Sequence, residues 1–302
     1  YQLSNGRAAR YQSATGKKAK WLAIAQLGGT AGRDSDVIYL AEPLDERLFE
    51  NILAEQVNNT EVVFWDEQQN KLLAEQQQRI GKLVLSAKPA TKITAEQKSV
   101  AIVTHIQKRG LSLLPWSDKA NLWRERVNFL YQDDVQKTGK SEWPDLSDAA
   151  LLSSLHNWLA PFLDKVSHIN HLKQLDLYSI LQGLLVWPQP QQLDELAPER
   201  YTVPTGSNVR IDYSQTPPAL PVKMQEMFGC QKTPAINRNT ALTVHLLSPA
   251  GRPLQITQDL AGFWQTSYKD VQKEMKGRYP KHRWPDDPAN EQPSRRTTKP
   301  RK

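Results

Sequence analysis

The period of the hydrophobic pattern changes twice along this chain of 302 residues, and those changes constrain the fold more than any motif does. Residues 1–93 carry short apolar runs cut by Gly, Pro and Asn, the spacing of strands. Residues 94–187 carry apolar positions three and four apart, the spacing of helices buried along one stripe. Residues 198–258 return to alternation, as when one sheet face is buried. Segregated periods read as an α+β chain: an N-terminal β domain, a helical middle, and a mixed α/β region with a small antiparallel sheet.

Within the first segment, 21–27, 37–40 and 61–65 read as strands, and 72–87 as a last one, long or bent at Gly81. Asp45 can cap a short helix over 46–56, with Leu48, Ile52 and Leu53 on one face. The order strand, strand, strand, helix, strand, strand is that of an OB-fold, a five-stranded barrel that often binds single-stranded nucleic acid. On that reading the helix plugs one end, and Trp21 and Trp65 sit in the core or at its packing edge. Further on, Thr94 with Gln97 forms a capping box, and Ser117, Ser147 and Asp176 cap three more helices. Their stripes hold Trp123, Val127 and Leu130, then Leu151, Leu155 and Trp158, then Leu177, Ile180 and Leu181. Residues 241–257 read as a hairpin, and Asp259 caps a final helix that pauses near Gly262 and resumes to Lys276.

Charge is unevenly placed. Residues 271–302 hold ten Lys or Arg against four acids, a surplus of six in a chain whose net charge is +7. A basic end suits nucleic acid or an acidic partner, and equally a solubilising tail. The single cysteine, Cys230, excludes an internal disulfide framework and a Cys-rich zinc site, and fits a cytoplasmic, reducing location. No run approaches the roughly 18 apolar residues of a membrane span. The chain opens at Tyr1 in strand-like sequence with neither Met nor a signal-type run, as expected where the upstream part lies elsewhere.

Catalytic patterns fail on inspection. Gly139-Lys140-Ser141 has the ending of a phosphate-binding loop, but Asp134 stands where the first glycine is needed, and Trp143-Pro144 follows where a helix should run. His168 and His171 share a helical face without a third metal ligand nearby. Cys230 follows a short helix and reads as an idle thiol. Two basic clusters remain. Arg7, Arg10, Lys17, Lys18 and Lys20 can guide a single strand over the barrel, or belong to a solvated loop. Lys276, Arg278, Lys281 and Arg283 alternate with Tyr279 and Trp284. Prolines 280, 285 and 288 keep that segment extended, so its rings can pin it while its cations meet phosphates.

Residues 275–282 (MKGRYPKH) and 284–288 (WPDDP) resemble the terminal signature of HrpB-type DEAH-box helicases. So do 260–264 (LAGFW), 247–253 (LSPAGRP) and the opening 3–7 (LSNGR) with 21–23 (WLA). Arg283 departs from the proline usual there. The resemblance implies an ATP-dependent RNA or nucleic-acid helicase. Its two motor domains, winged helix and helical bundle would lie outside this chain, and the OB-fold would hold the single strand and touch the motor. ATP and Mg²⁺ are implied for the whole enzyme, and none is expected in this chain. Four segments follow: an OB-like barrel over 1–93, a helical part of the extension over 94–190, a small β-rich domain over 191–288, and a flexible basic tail over 289–302. The expected partners are single-stranded RNA or DNA and the motor domains of the same chain, with no membrane. The expected contact residues are Arg7, Arg10, Lys276, Arg278, Lys281, Arg283 and Trp284. The rival reading is a protein-interaction module that recruits a partner or a ribonucleoprotein.

Overall fold

The computed structural model describes residues 1–11, 19–29, 35–90 and 92–295. In chain order the helices are α1 (Ala95–Arg109), α2 (Asp118–Thr138), α3 (Asp148–Ser153), α4 (Leu155–Trp158), α5 (Ile169–Leu172), α6 (Leu177–Gln182), α7 (Gln189–Leu196), α8 (Leu260–Gln265) and α9 (Tyr268–Arg278). The chain is α+β and forms two compact units. Unit 1 is Tyr1–Arg109 with Ala160–Lys173, and unit 2 is Gly110–Leu159 with Gln174–Lys302. The helical stretch 94–190 is divided between them.

Unit 1 contains β1 (Ala8–Tyr11), β2 (Leu22–Gly28), β3 (Ser35–Pro43), β4 (Asn58–Asp66), β5 (Lys71–Ile80) and β6 (Leu83–Pro89). One sheet has the order β1-β3-β2, with β1 parallel and β2 antiparallel to the central strand. Leu3, Ala9 and Ile38 form its core, with Leu22, Ile24 and Ala41 packed against them. The second sheet is the antiparallel meander β4-β5-β6. Here the long strand expected over 72–87 is two strands, folded back at 81–82. Trp65 and Leu72 face each other across β4 and β5 and are buried. The Trp65 ring stacks on His105 of α1 with centroids 5.1 Å apart. Among the described residues no ladder joins the two sheets, so the strands form two separate sheets where a closed barrel was expected.

The plugging helix over 46–56 does not form. Two 3-10 turns, Glu46–Phe49 and Ala54–Gln56, stand there instead. Asp45 does cap, accepting from the Arg47 N–H. However, the Asn51 side chain donates to the Arg47 carbonyl at 2.9 Å, a local bond that competes with helix propagation. Leu48 and Leu53 are partly buried but Ile52 is 78% exposed, so the three do not form one buried stripe.

Unit 2 begins with helices whose caps are those the sequence indicates. Ser117, Ser147 and Asp176 accept from the backbone N–H of Ala120, Ala150 and Ser179. Trp123, Val127 and Leu130 of α2 and Leu177, Ile180 and Leu181 of α6 are buried. Arg126 of α2 is buried as well, and donates to the carbonyls of Leu193 and Ala197 at the end of α7. The strands are β7 (Arg200–Thr202), β8 (Asn208–Arg210), β9 (Ala219–Lys223), β10 (Ala235–Ile236), β11 (Thr240–Ala241), β12 (Thr243–Leu247) and β13 (Pro253–Thr257). The expected hairpin is β12–β13, but β9 joins β12 in parallel, so this sheet is mixed where an antiparallel one was expected. Phe228, Phe263, Trp264 and Tyr268 pack ring against ring beside it, at centroid separations of 5.0–6.5 Å. The helical break falls at Thr266–Ser267, after Gly262. Gly262 lies within α8 beneath the capping carboxylate of Asp259, which a Cβ at this position would meet.

Candidate nucleic-acid interface

Helix α9 buries Tyr268 and Met275 on one face and clamps the extended segment that follows it. The Tyr268 hydroxyl donates to the Pro285 carbonyl at 2.9 Å, and the Gln272 amide donates to the carbonyls of Trp284 and Pro285 at 3.0 and 2.6 Å. Trp284 is 8% exposed and donates its indole N–H to the Tyr279 carbonyl at 3.1 Å. Its ring therefore pins the segment and offers little face to a base. Anchoring continues past Pro288, since the Ser294 N–H donates to the Gln225 carbonyl at 3.0 Å. Residues 296–302, which complete the expected tail, lie outside the described residues.

Three of the four expected cations of this segment are paired. Lys276 meets Asp286 at 3.3 Å, Arg278 meets Glu274 at 3.4 Å, and Arg283 meets Glu291 at 2.5 Å. These three cations therefore have partners inside the chain, because the acids counted as a minority are the ones placed beside them. The hydrogen bond from Gln272, and after it that from Lys276 with its charge, hold the Asp286 carboxyl below its ordinary range. Lys281 is exposed and has no ion pair with another described residue.

The expected contact residues did not include Lys269 and Lys273. Both are exposed on α9 without an ion pair to another described residue. With Lys276 they repeat at four- and three-residue spacing, so all three share one exposed stripe, turned away from the buried Tyr268 and Met275. The signal was legible as a helical lysine period, but it straddles the start of the segment whose charge was summed, since Lys269 precedes residue 271.

In unit 1, Arg7 donates to the buried Asp36 carboxylate at 2.6 Å, and Arg10 is exposed on β1. Lys17 and Lys18 lie outside the described residues. Lys20 instead borders a groove of about 400 Å³ with Trp21, Phe49, Asn59, Gln78 and Ser86. Trp21 donates its indole N–H to Glu46 at 3.0 Å, and Lys20 meets the same carboxylate at 2.7 Å. Those two hydrogen bonds, that from Lys20 foremost, hold Glu46 below its ordinary pKa.

The remaining candidates have local structural roles. Gly139 takes the left-handed conformation that ends α2, so Gly139-Lys140-Ser141 leaves a helix where a phosphate loop must enter one. The residues therefore do not fit a nucleotide triphosphate. His168 caps α5 through Nδ1, which accepts from the Asn170 N–H. Among the described residues no group of three His, Cys, Asp or Glu could hold a metal ion. Burial pushes the Cys230 thiol up, away from the reactive thiolate. No helix among the described residues is long and apolar enough to cross a membrane.

Residues 158–288 match a family described as ATP-dependent helicase C-terminal, and residues 56–90 match the connector region of the ATP-dependent RNA helicase HrpB. The second match coincides with the β4-β5-β6 meander. Over 304 aligned residues the chain is 41% identical to the ATP-dependent RNA helicase HrpB of Escherichia coli (strain K12), covering 99% of this chain and 37% of that protein. A crystal structure of the E. coli DExH-box NTPase HrpB superposes with a TM-score of 0.64 at 40% identity, over 98% of this chain and 37% of the other. A crystal structure of the Escherichia coli DEAH/RHA helicase HrpB gives 0.56 at 36% identity, over 94% and 35%. The chain thus spans little more than a third of the length of the relatives it matches.

Proposed function

From the premise that this chain belongs to the HrpB-type ATP-dependent helicases, as their C-terminal region, we propose that it binds single-stranded nucleic acid, RNA foremost, and docks on the motor domains of the longer protein. ATP hydrolysis belongs to those domains on this reading. The observation that carries the binding role is the lysine stripe Lys269–Lys273–Lys276, continued by Lys281 beyond the helix. Phosphates need fixed cations, and a helix pinned by Tyr268 and Met275 supplies them at low ordering cost. Lys276 and Arg278 are held in exposed, solvent-screened pairs, which a strand can exchange for phosphate contacts. Arg283 is half-buried against Glu291 and contributes to the anchor first. Arg10 is the corresponding exposed cation of unit 1. The RNA preference comes from the name of the E. coli relative.

The test is fluorescence-polarisation binding of a single-stranded RNA at several salt concentrations, comparing the parent with a Lys269→Ala/Lys273→Ala/Lys281→Ala variant. Each lost phosphate contact flattens the log–log salt slope by about 0.7 for a single strand. An unchanged slope and affinity at unchanged melting temperature would sink the proposal. One observation favours the rival reading of a protein-docking module. In unit 2, Val186 and Trp187 are 68% and 79% exposed, an apolar knob of the kind protein partners cover. Unchanged docking to the isolated motor region and unchanged RNA binding in Trp187→Ala would leave the knob to a separate partner and support that reading, whereas loss of motor docking would assign it to the first.

A further inference from the structure

Unit 1 carries a second surface whose chemistry differs from the lysine stripe. The rings of Trp21 and Phe49 meet edge-on, with centroids 5.4 Å apart and planes at 82°, so they form a corner. Both rings are only partly buried. The floor beside them is polar. Asn59 of β4 lies opposite Gln78 of β5, and Gln78 lies opposite Ser86 of β6, which makes one row across the sheet. The Ser86 hydroxyl donates to the Gln78 side-chain oxygen at 2.8 Å, which leaves the Gln78 amide nitrogen directed to other acceptors. At the mouth, Lys20 lies 5.6 Å from the Trp21 ring centroid and in an exposed pair with Glu46.

An aromatic corner beside exposed amides, in a space of about 400 Å³, suits one planar heterocycle bearing hydrogen-bonding edges. The carboxylates of Glu46 and Glu50 border the same groove and repel a phosphate from its interior. Lys20 is the cation at the rim, and its exposed pair with Glu46 is weak enough for a backbone phosphate to draw it off. Apolar wall, amide floor and acidic lining together select a base rather than backbone.

We propose that this groove is a base slot, which takes one unpaired nucleobase of a single strand against Trp21 and Phe49, with Gln78 and Asn59 on its edge and Lys20 on its phosphate. This rests on the reading of the chain as a single-strand-binding part of a helicase. A base held in a duplex stack presents no free face, so the slot discriminates against duplex. It also assigns the connector sheet a direct role in holding the strand.

The experiment compares binding of a short uridine homopolymer with that of an abasic strand of equal length and charge, using the whole 302-residue chain. The parent is expected to prefer the intact strand by about tenfold, the scale of one stacked base. Gln78→Ala, an exposed side chain whose loss leaves the fold intact, is expected to reduce that preference, and Trp21→Leu to abolish it, each at unchanged affinity for the abasic strand. The lysine-stripe variant should weaken both strands alike. Equal binding of the two strands by the parent overturns the slot and leaves the backbone reading standing. Retention of the full preference in both Gln78→Ala and Trp21→Leu, with melting temperatures unchanged, overturns it too. Binding of neither strand overturns the slot and the nucleic-acid reading together.

Discussion

Arg126 Nη2 lies 2.6 Å from Asp194 Oδ1, yet the guanidinium is buried and the carboxylate is open to solvent. The same side chain donates to the carbonyls of Leu193 and Ala197, so it ties α2 to the end of α7 mainly through backbone acceptors. The two partners therefore differ in weight. Arg126→Ala leaves a cavity and takes the guanidinium donor from the Ala197 carbonyl, whereas the Leu193 carbonyl keeps the Ala197 N–H, and is expected to cost about 2–4 kcal/mol. Asp194→Ala removes an exposed partner and should cost under about 1 kcal/mol. Urea denaturation of the two variants checks the ratio, and equal losses would contradict it.

His105 gives unit 1 a pH dependence. Burial against Trp65 lowers its pKa, the charge of Glu67 opposes this, and Arg109 and Lys108 add to the lowering. The unfolded chain thus binds a proton that the folded unit resists. The contribution of His105 is fully present above its unfolded pKa of about 6.5, and is lost as pH falls from there through the folded value. His105→Phe keeps a ring against Trp65 and removes the titration. Thermal melts followed by Trp fluorescence should show a smaller loss on acidification from about pH 7.5 to about pH 5 in the variant than in the parent. Carboxylates elsewhere titrate in both and cancel in the comparison.

Three consecutive residues, Asn237, Arg238 and Asn239, take positive φ of 42°, 54° and 105° between β10 and β11. The buried Asp133 of α2 holds this turn, accepting from the Asn237 amide at 2.5 Å, the Thr240 hydroxyl at 3.1 Å and Lys137 at 2.7 Å. Asp133→Ala is expected to cost about 2–3 kcal/mol, since it leaves a buried amide unpaired and the turn unheld. Arg238→Gly removes a left-handed penalty and should stabilise by about 1 kcal/mol. A destabilising Arg238→Gly, measured by chemical denaturation, would show that its side chain does more than the backbone suffers.

Trp284 and Lys281 are three residues apart and should fail in different assays. Trp284→Ala empties a buried site and breaks the indole bond to Tyr279, a loss of about 3–5 kcal/mol in unit 2. Lys281→Ala changes an exposed side chain and should leave the melting temperature within error while reducing the salt dependence of RNA binding. A Lys281→Ala variant that melts early but binds normally would reverse the assignment.

The expected residues of the site were partly legible. The extended run after α9 and the pinning by Trp284 follow from prolines 280, 285 and 288 and from the size of an indole, both local facts. Which cations are committed was not legible. Arg283 finds Glu291 and Lys276 finds Asp286 only once the segment folds back on its own helix. The Trp21 corner was equally hidden, because Phe49 belongs to a stretch that reads as a helix and folds as isolated turns.

What the sequence determined by itself is what depends on neighbours within a turn or a strand. The caps at Ser117, Ser147, Asp176 and Asp259, the switch from alternation to helical spacing at Thr94, and the excess of charge at the chain's end all rest on contacts three or four residues long. Only the tertiary structure decided that, among the described residues, six strands become two sheets without a joining ladder, that β9 enters its sheet in parallel, and that the row Asn59–Gln78–Ser86 ends beside Trp21. Strand pairing and side-chain encounters at long separation are selected by burial and by the closure entropy of the loops between them, and neither quantity is carried by a local pattern.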